Sequence, residues 1–501
     1  MLKYLCLTLT IASAFAATPC ANLTSLAIPD VAITSAETTP PGKLDVGNST
    51  LVEVPAFCRV HATARPTSDS EIHLEIWLPA ESSWNGKFLG TGNGGYSSAL
   101  SYPAMAKALR DGYATAGNDT GHTGGDLTFG LGHPEKVADF AYRAVHIMTT
   151  TAKTVMHEHY ARPASEMYFS SCSSGGHQAL SEVQRYPNDY DGVIAGAPAN
   201  NRLNQTFGFL WSWLAQHDST GAPLLTHDDL RMITQAAIKA CDATDGLRDG
   251  LIGDPTRCHF DPAVLACPQP NGGCLTPTQI DSVRKVYAGP KNPRTGEQIF
   301  AGWSIGSESF GPAGIQSWSM YLLDPPAPMR VEALRYFVFR DPQWDWHTIN
   351  WDRDVQNAHR QLPILSANET NLSAFARHGG KLILYAGWAD PVVPAADTVT
   401  YYQKVVKATE GGDMEKTQSF ARLFIAPGMG HCGGGLGPNQ FDTLTALDQW
   451  ATQNIPPANL IASHQTDGKV DRTRPLCPYP QVAHYRGTGS IDAAANFTCA
   501  K

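Results

Sequence analysis

The chain has 501 residues and carries 37 basic against 46 acidic residues, which gives a formal net charge of −9. This acidic balance argues against a nucleic-acid-binding protein, because neutralising phosphates needs a basic surface. Hydrophobic residues make up 42% and charged residues 17%, which is typical of a globular protein and excludes bulk disorder. The 45 glycines and 35 prolines favour a loop-rich protein over a long helical bundle.

The N-terminus has the three parts of a secretory signal peptide. Lys3 is the basic residue, an apolar stretch runs from Leu5 to Ala14, and Ala14-Phe15-Ala16 is a small-residue cleavage site. We predict that residues 1–17 are a signal peptide and that the mature chain is secreted and extracellular; a buried first helix is the alternative. The apolar stretch is too short to cross a bilayer, so no membrane association is expected.

Ten cysteines remain once the signal peptide, with Cys6, is removed. An even number in a secreted chain implies disulfides, although the sequence does not fix their connectivity. Closure between near neighbours favours four local pairs and leaves Cys172 and Cys432 as a long-range fifth pair. The local pairs are Cys20–Cys58, Cys241–Cys258, Cys267–Cys274 and Cys477–Cys499.

Seven Asn-x-Ser/Thr sequons agree with secretion, and several of them are expected to carry surface glycans. They begin at Asn22, Asn48, Asn118, Asn204, Asn368, Asn371 and Asn496.

Short apolar runs alternate with glycine-rich turns up to about residue 200. Strands are predicted at 72–78, 167–170 and 192–197, and helices at 138–157 and 177–185. Strand, turn, helix and strand in this order indicate a parallel sheet.

This alternation of strands and helices stops between residues 201 and 372 and resumes with strands at 381–387 and 421–426. The interrupting stretch holds four of the ten mature cysteines and seven of the eleven tryptophans. We therefore predict an α/β fold, with an α/β-hydrolase core at 18–200 and 373–501. An inserted, disulfide-stapled lid domain would occupy 201–372. Its tryptophans are expected to form a core, with stacking on a substrate as the alternative.

Three predicted strands are each followed by a residue suited to acyl transfer. Ser173, Asp390 and His431 appear in the chain order of α/β-hydrolase triads. The carboxyl ends of parallel strands are also where catalysis takes place in such sheets. Ser173 would be the nucleophile, His431 its general base and Asp390 the group that orients the imidazole.

The turn at Ser173 departs from the usual G-x-S-x-G elbow, because Ser171 replaces the first glycine. Gly175 and Gly176 still permit close packing of strand and helix. Cys172 precedes Ser173 just as Cys432 follows His431, so a bridge between them would clamp the nucleophile turn to the loop of the base.

Three segments together resemble the tannase and feruloyl esterase family, over nearly the whole mature chain. They are Cys172-Ser173-Ser174-Gly175-Gly176, the Asp loop Trp388-Ala389-Asp390-Pro391-Val392-Val393-Pro394 and the His loop Pro427-Gly428-Met429-Gly430-His431-Cys432. The resemblance implies an α/β-hydrolase core, a lid domain and hydrolysis of phenolic-acid esters.

An oxyanion hole needs backbone N–H donors beside the nucleophile. Ser174, the residue after the nucleophile, is one expected donor, and Gly94 or Gly95 is the second. The spacing Gly90-x-Gly92-x-x-Gly95 also fits a dinucleotide fingerprint, but a secreted, disulfide-rich chain has little use for soluble NAD. No organic cofactor is implied. His122 is a second candidate base, but it precedes Ser173, so we interpret it as structural or cleft-lining.

Three carboxylates, those of Asp242, Asp245 and Asp249, fall within eight residues beside turn-forming glycines. Hard oxygen ligands of this kind suit Ca²⁺, although the spacing is not that of an EF-hand. The segment resembles the calcium loop of the same family. The resemblance implies side-chain ligands from the three aspartates and backbone carbonyls from Leu247 and Leu251. A structural role is expected, because the loop is far in sequence from Ser173. An exposed acidic turn is the alternative.

The sequence thus predicts a secreted serine esterase. Feruloyl esterase, acting on feruloylated plant cell-wall polysaccharide or oligosaccharide, is the first interpretation, and tannase, acting on galloyl esters, is the alternative. A non-catalytic binding protein with an esterase-like fold and a peptidase on the same core are further candidates. The expected partners are phenolic ester substrates, with no nucleic acid and no membrane, in a monomer or homodimer.

Overall fold

The structure is a computed structural model that describes residues 17–47, 49–267, 273–309 and 317–501. Residues 1–16 of the predicted signal peptide and the sequon at Asn48 lie outside the described residues. The strands are β1 (Val31–Thr39), β2 (Gly42–Asp45), β3 (Leu51–Val54), β4 (Phe57–Ala64), β5 (Ile72–Pro79), β6 (Lys87–Thr91), β7 (Ala114–Asn118), β8 (Glu166–Cys172), β9 (Gly192–Gly196), β10 (Lys381–Gly387), β11 (Ala421–Ala426), β12 (Leu460–Thr466), β13 (Lys469–Leu476), β14 (Val482–Tyr485) and β15 (Phe497–Ala500).

The α-helices follow the same chain order. They are α1 (Tyr102–Arg110), α2 (Pro134–Ala138), α3 (Ala144–Tyr160), α4 (Ser174–Arg185), α5 (Arg202–Gln216), α6 (His227–Cys241), α7 (Pro277–Ala288), α8 (Val331–Ala333), α9 (Arg353–Gln361), α10 (Ser373–His378), α11 (Ala395–Glu410), α12 (Met414–Gln418) and α13 (Thr443–Gln453). Among the described helices, none combines the length and apolar character needed to cross a bilayer.

One large sheet carries the fold. Its strand order is β1-β4-β5-β7-β6-β8-β9-β10-β11. The first four strands pair antiparallel, and every neighbouring pair from β7 to β11 runs parallel. The predicted α/β class with a parallel sheet is therefore confirmed.

Both faces of the parallel strands are covered, which explains why these strands are apolar along their whole length. Helices α3, α4 and α11 pack on one face through side chains such as Met148, Leu180 and Tyr402. On the other face, α13 contributes Leu447 and Trp450.

The strand bounds agree closely with the sequence pattern, and β10 and β11 have the predicted limits. The predicted helix at 138–157 is less regular. It consists of α2, a π-helical turn at Asp139–Arg143 and α3, which continues to Tyr160.

The insertion between β9 and β10 contains helices α5 to α9 and, in its described part, no strand. Trp213, Trp303 and Trp318 are buried together in its main apolar cluster. These tryptophans therefore form a core, which is the first of the two predicted roles.

The described residues form five disulfides, which are the four predicted local pairs and the predicted long-range pair. They are Cys20–Cys58, Cys172–Cys432, Cys241–Cys258, Cys267–Cys274 and Cys477–Cys499.

A buried carboxylate ties the antiparallel strands to α1. Glu75 on β5 accepts two hydrogen bonds from the Arg59 guanidinium on β4, at 2.9 and 3.0 Å. It also accepts from the indole of Trp77 at 2.8 Å and from the hydroxyl of Tyr102 at 2.7 Å. One side chain thus satisfies donors from three elements.

Replacing Glu75 with Ala leaves the partly buried Arg59 cation without its partner. We expect E75A to lower the free energy of unfolding by about 3 to 5 kcal/mol, measured by urea denaturation. The matched control is E71A, which breaks the exposed pair of Arg65 and Glu71 and is expected to cost less than about 1 kcal/mol. Equal losses in the two variants would contradict this role of Glu75.

Candidate active site

The structure brings the three predicted triad side chains together. His431 Nε2 lies 2.8 Å from Ser173 Oγ, and His431 Nδ1 lies 2.8 Å from Asp390 Oδ2. Asp390 is fully buried, and the imidazole of His431 is 14% exposed. A continuous hydrogen-bonded relay of serine, imidazole and carboxylate therefore reaches from the interior to the surface.

Ser173 occupies the turn between β8 and α4. Its φ of +65° lies in the left-handed region, which is uncommon and costly for a residue with a side chain. The backbone holds it there, since Ser173 N donates to Gly196 O at 2.9 Å and Ala199 N donates to Ser173 O at 3.1 Å. Both partners lie at the end of β9 or just beyond it, so the neighbouring strand fixes the turn.

The departure from the usual elbow has a packing explanation. The Ser171 side chain lies so close to Gly175 that a Cβ at Gly175 would meet Ser171 Oγ at 1.9 Å. Gly92 packs against the same turn, because a Cβ at Gly92 would lie 2.8 Å from Gly175 Cα. Ser171 is therefore accommodated because Gly175 and Gly92 have no side chains.

The Asp390 carboxylate binds two kinds of partner, which are backbone N–H groups of its own loop and the imidazole of His431. Asp390 Oδ1 accepts the N–H groups of Val392 and Val393 at 2.7 and 2.9 Å, which leaves Oδ2 for His431. Gly387, at the end of β10, makes this possible. A Cβ there would meet Met429 O at 2.1 Å, so the Asp and His loops approach closely only because residue 387 is glycine.

The Cys172–Cys432 disulfide joins the residues adjacent to Ser173 and His431. Its Cα atoms are 5.9 Å apart, and it links positions separated by 260 residues. Cys432 also has a left-handed φ, of +64°. The bridge therefore connects two strained turns, one on each side of the Ser173–His431 hydrogen bond.

The glycine-rich loop after β6 lies against the start of α4. Asn93 and Gln178 exchange two hydrogen bonds of 3.0 Å, and Ser174 Oγ donates to Gly95 O at 2.5 Å. Gly94 and Gly95 both line the same cleft as Ser173. The two predicted glycines and Ser174 thus lie beside the nucleophile, and the choice between the glycines stays open.

His122 is buried outside the triad. Its Nε2 donates to the carbonyl of Tyr96 at 2.8 Å, and its ring stacks on Phe129. Burial lowers the pKa of His122, so its neutral form is favoured. It supports the loop that follows Gly95.

The cleft above Ser173 has a volume of about 570 Å³. Besides the predicted residues, Tyr321 and Arg330 of the insertion and Tyr385 of β10 line it. Burial raises the pKa of Tyr321, and the nearby charge of Asp390 raises it further. Sequence reasoning missed Tyr321 and Arg330 because no motif surrounds them and only the tertiary fold brings them to Ser173.

The predicted calcium loop follows α6. Asp242 Oδ1 accepts the N–H groups of Asp249 and Gly250, at 3.0 and 3.1 Å, and Asp245 Oδ1 accepts that of Leu247. The loop aspartates do not each bring an oxygen within 4.8 Å of the others.

The donor chemistry of this loop nevertheless fits a hard cation. Burial raises the pKa of Asp245, and the charges of Asp249 and Asp242 add to that rise. A Cβ on Gly253 would meet Asp245 Oδ2 at 2.4 Å, so Gly253 lies directly against this carboxylate. Several carboxylates on one loop are the kind of hard oxygen donors that suit a divalent cation such as Ca²⁺.

Among the described residues, one group of three potential metal ligands does meet within 4.8 Å: His146, Glu182 and Asp189. The Lys153 ammonium already lies 2.9 Å from Asp189, and His146 Nδ1 lies 2.6 Å from it. Burial, and next the charge of Asp189, raise the pKa of Glu182 well above its usual range. The Lys153–Asp189 ion pair, beside a buried carboxyl whose neutral form is favoured, therefore accounts for this cluster.

Several known proteins are similar to this chain in sequence and in fold. A family model described as tannase and feruloyl esterase matches residues 58–500. An uncharacterised esterase of Xanthomonas campestris pv. campestris is 37% identical, over 98% of this chain and 92% of its own. A mono(2-hydroxyethyl) terephthalate hydrolase of Piscinibacter sakaiensis is 33% identical, over 86% and 81%. A probable feruloyl esterase B-1 of Aspergillus oryzae is 32% identical, over 89% and 84%.

A solved structure supports the same relationship. The crystal structure of feruloyl esterase B from Aspergillus oryzae superposes with a TM-score of 0.89 at 28% identity. The match covers 95% of this chain and 98% of that one.

Removing the Cys172–Cys432 bridge should affect turnover more than it affects folding. We expect the double variant C172A/C432A to lose about tenfold or more in kcat, because the distance between Ser173 and His431 is no longer covalently limited. Thermal unfolding and ester turnover measured on the same sample test this. The control is C267A/C274A, which removes a short-range bridge. Unchanged kcat in C172A/C432A would contradict the positioning role.

Proposed function

The chain belongs to the tannase and feruloyl esterase family, and we propose that it is a serine esterase that cleaves esters of phenolic acids. The observation that carries this proposal is the Ser173–His431–Asp390 relay, which opens into a cleft beside glycine-loop N–H groups. A non-catalytic binding protein does not require an aligned relay of this kind.

In acylation, Ser173 Oγ attacks the ester carbonyl carbon while His431 Nε2 takes its proton. The developing oxyanion would accept hydrogen bonds from the N–H of Ser174 and from that of Gly94 or Gly95. When the carbon–oxygen bond of the ester breaks, His431 gives the proton to the leaving alcohol. Asp390 keeps the imidazole in the required tautomer and stabilises its charged form.

In deacylation, water takes the place of the alcohol. His431 removes a proton from that water as it attacks the acyl carbon, and then returns the proton to Ser173 Oγ. The products are a free acid and the regenerated serine, so the step needs no redox cofactor. In each half-reaction, His431 gives up the proton that it has accepted.

We favour hydroxycinnamate esters over gallate esters as substrates. The cleft volume of about 570 Å³ falls in the range of small-molecule sites. Tyr321, Tyr385 and Val392 offer aromatic and apolar surface for a phenyl-propenoyl group. The likeness to feruloyl esterase B over 95% of the chain supports the same preference. Feruloylated plant polysaccharide is the proposed natural substrate, and the insertion at 201–372 is the proposed lid domain over the core.

We also propose that the mature protein is secreted. Five disulfides support this location, because such bonds persist in oxidising compartments. Glycans are proposed at exposed sequons such as Asn22 and Asn371. Asn118 is excluded as a site in the folded chain, because its side chain is 1% exposed.

A structural Ca²⁺ is proposed in the loop after α6. Asp242, Asp245 and Asp249 would hold it together with the carbonyls of Leu247 and Leu251. When bound, the ion would neutralise the loop charge and order the turn. The Asp249 carboxylate would keep its 2.7 Å contact with Arg474 of β13 through one oxygen.

The substrate proposal is tested by turnover of methyl ferulate, methyl caffeate, methyl p-coumarate and methyl gallate. We expect the three cinnamates to exceed gallate by at least about tenfold in kcat/KM. S173A is expected to lose at least about a thousandfold in turnover with unchanged thermal unfolding, because the nucleophile is gone. The control S181A removes a serine hydroxyl of α4 outside the cleft. Turnover of gallate alone would establish a tannase instead, and an active S173A would overturn the triad.

Removal of calcium is expected to lower the melting temperature. A chelator such as EGTA should reduce the Tm of the wild type by several degrees, on the order of 5 °C, and added Ca²⁺ should restore it. The double variant D242N/D245N should show no response to either reagent. The calcium proposal fails if the wild type melts at the same temperature with EGTA and with Ca²⁺.

A further inference from the structure

A second cavity lies between the acidic loop after α6 and the strands β13 and β14. Its volume is about 250 Å³. Among the described residues, none that lines this cavity also lines the cleft above Ser173. An apolar cavity of about 150 Å³ is enough to bind benzene. The second cavity therefore has room for a substituted aromatic ring.

Apolar side chains form much of the cavity wall. Leu251, Trp388, Pro475 and Leu476 line it and are buried. Tyr479 adds a second aromatic ring. Small-molecule sites are typically lined by apolar and aromatic side chains of this kind, together with a few polar groups that orient the ligand. The wall therefore favours a ring compound over a strongly polar ligand.

Two of the polar residues on this wall carry buried atoms without a partner. They are Arg474, through its Nε, and His484, through its Nε2, and neither atom has a hydrogen-bond partner in the described structure. Arg474 is only 7% exposed. A buried donor without an acceptor costs free energy, so a ligand oxygen that accepts from Arg474 Nε is favoured at this position.

The charge of Arg474 is already compensated within the protein. Its Nη2 donates to Asp249 Oδ2 at 2.7 Å and to the carbonyl of Ile491 at 3.2 Å. Its Cζ lies 4.0 Å from the ring centroid of Phe497. The guanidinium is thus fixed in place with Nε left over. An anion at Nε would lie beside the Asp249 carboxylate and be repelled by it, whereas an uncharged oxygen would not.

The more exposed part of the cavity wall has a mixed charge. Thr244, Asp245, Asp254 and Arg257 line it there. A hydroxyl group can donate to a carboxylate and accept from a guanidinium, so it suits such a wall. The cavity as a whole therefore fits an uncharged ring that carries hydroxyl or ether oxygens.

The cavity also reaches the two segments that carry the acid and the base of the triad. Trp388 is two residues before Asp390, and Pro427 is four residues before His431. Both Trp388 and Pro427 line the cavity. The two segments are joined here, because Trp388 N donates to Ala426 O at 3.0 Å. A ligand in this cavity would contact both segments without entering the cleft.

We propose that this cavity is a second ligand site, which binds an uncharged aromatic ring compound with hydroxyl or ether oxygens. The ring would pack against Trp388 and Leu476, and one oxygen would accept a hydrogen bond from Arg474 Nε. The site differs from the proposed calcium site, since Asp242 and Leu247 do not line the cavity. Binding needs no ester turnover, so this inference stands or falls independently of the proposed function.

The test is a calorimetric titration with 4-hydroxy-3-methoxybenzyl alcohol. This probe is uncharged and contains no ester. Excess Ca²⁺ is present throughout, so that an ion at the acidic loop is not scored as ligand binding. We expect a Kd below about 1 mM for the wild type. A483F should weaken binding by at least about tenfold, because the added phenyl ring fills the cavity that Ala483 lines.

The matched control is A500F. Ala500 lies on β15 opposite Val482 of β14 and does not line the cavity. This variant should bind the probe with the affinity of the wild type. The proposal is overturned if A483F keeps the wild-type affinity, because the probe then binds elsewhere, or if both variants lose affinity equally.

The charge of the ligand is tested with 4-hydroxy-3-methoxybenzoate, which places a carboxylate on the same ring. We expect it to bind at least about tenfold more weakly than the alcohol. The carboxylate loses its hydration in an apolar cavity, and it would lie beside Asp249. Equal or tighter binding of the benzoate would overturn the proposed ligand class.

A crystal of the wild type decides the location even if A483F fails to fold. The crystal is soaked with 4-bromobenzyl alcohol, and the bromine is located by its anomalous scattering. A bromine peak between Trp388 and Leu476 supports the site. A peak only in the cleft above Ser173, or no peak at all, overturns it.

Discussion

The active-site architecture depends on holding Ser173 in a left-handed backbone conformation. A serine at φ +65° is unfavourable in isolation, so the surrounding structure has to over-determine it. Backbone hydrogen bonds with Gly196 at the end of β9 and with Ala199 just beyond it do so, and the Cys172–Cys432 bridge adds a covalent restraint next to Ser173. The same bridge restrains Cys432, which is left-handed as well. Because each strained turn carries one partner of the Ser173–His431 hydrogen bond, the covalent link limits the distance that proton transfer depends on.

Few residues of the insertion line the cleft. Several of the insertion's aromatic side chains, such as Trp303 and Trp318, pack into one apolar cluster. Tyr321 belongs to the same cluster and, like Arg330, also lines the cleft above Ser173. The core thus supplies the triad and most of the cleft lining, and the insertion adds Tyr321 and Arg330 to one wall. Loops and insertions on a rigid scaffold commonly determine specificity in this manner.

The sequence was most informative where a local pattern and a chain order coincide. The strands β10 and β11 follow from their apolar runs, and the order of Ser173, Asp390 and His431 follows from the position of each after a strand. The π-helical turn at Asp139–Arg143 has no comparable signal, because its apolar spacing resembles that of an α-helix. Arg330 was unpredictable for another reason: its neighbours Tyr96 and Phe209 are more than a hundred residues away in sequence. The calcium loop was predicted from nearness in sequence, and in the structure Asp242 and Asp245 accept hydrogen bonds from backbone N–H groups, while the three loop aspartates do not form a group whose ligand oxygens all lie within 4.8 Å of one another.

The loop after α6 is remote from Ser173 in sequence, and for that reason its expected role was structural. In space it adjoins the base of the triad. A Cβ on Gly428 would meet Leu251 Cδ2 at 2.7 Å, so the Leu251 side chain lies against the backbone of the loop that carries His431. Asp249 in turn contacts Arg474 of β13 at 2.7 Å. The order of this loop therefore bears on the position of His431 as well as on global stability, because a shift of Leu251 removes the packing behind Gly428. We therefore expect a change in the acidic loop to affect the geometry of the relay as well as stability, through the packing of Leu251 on Gly428.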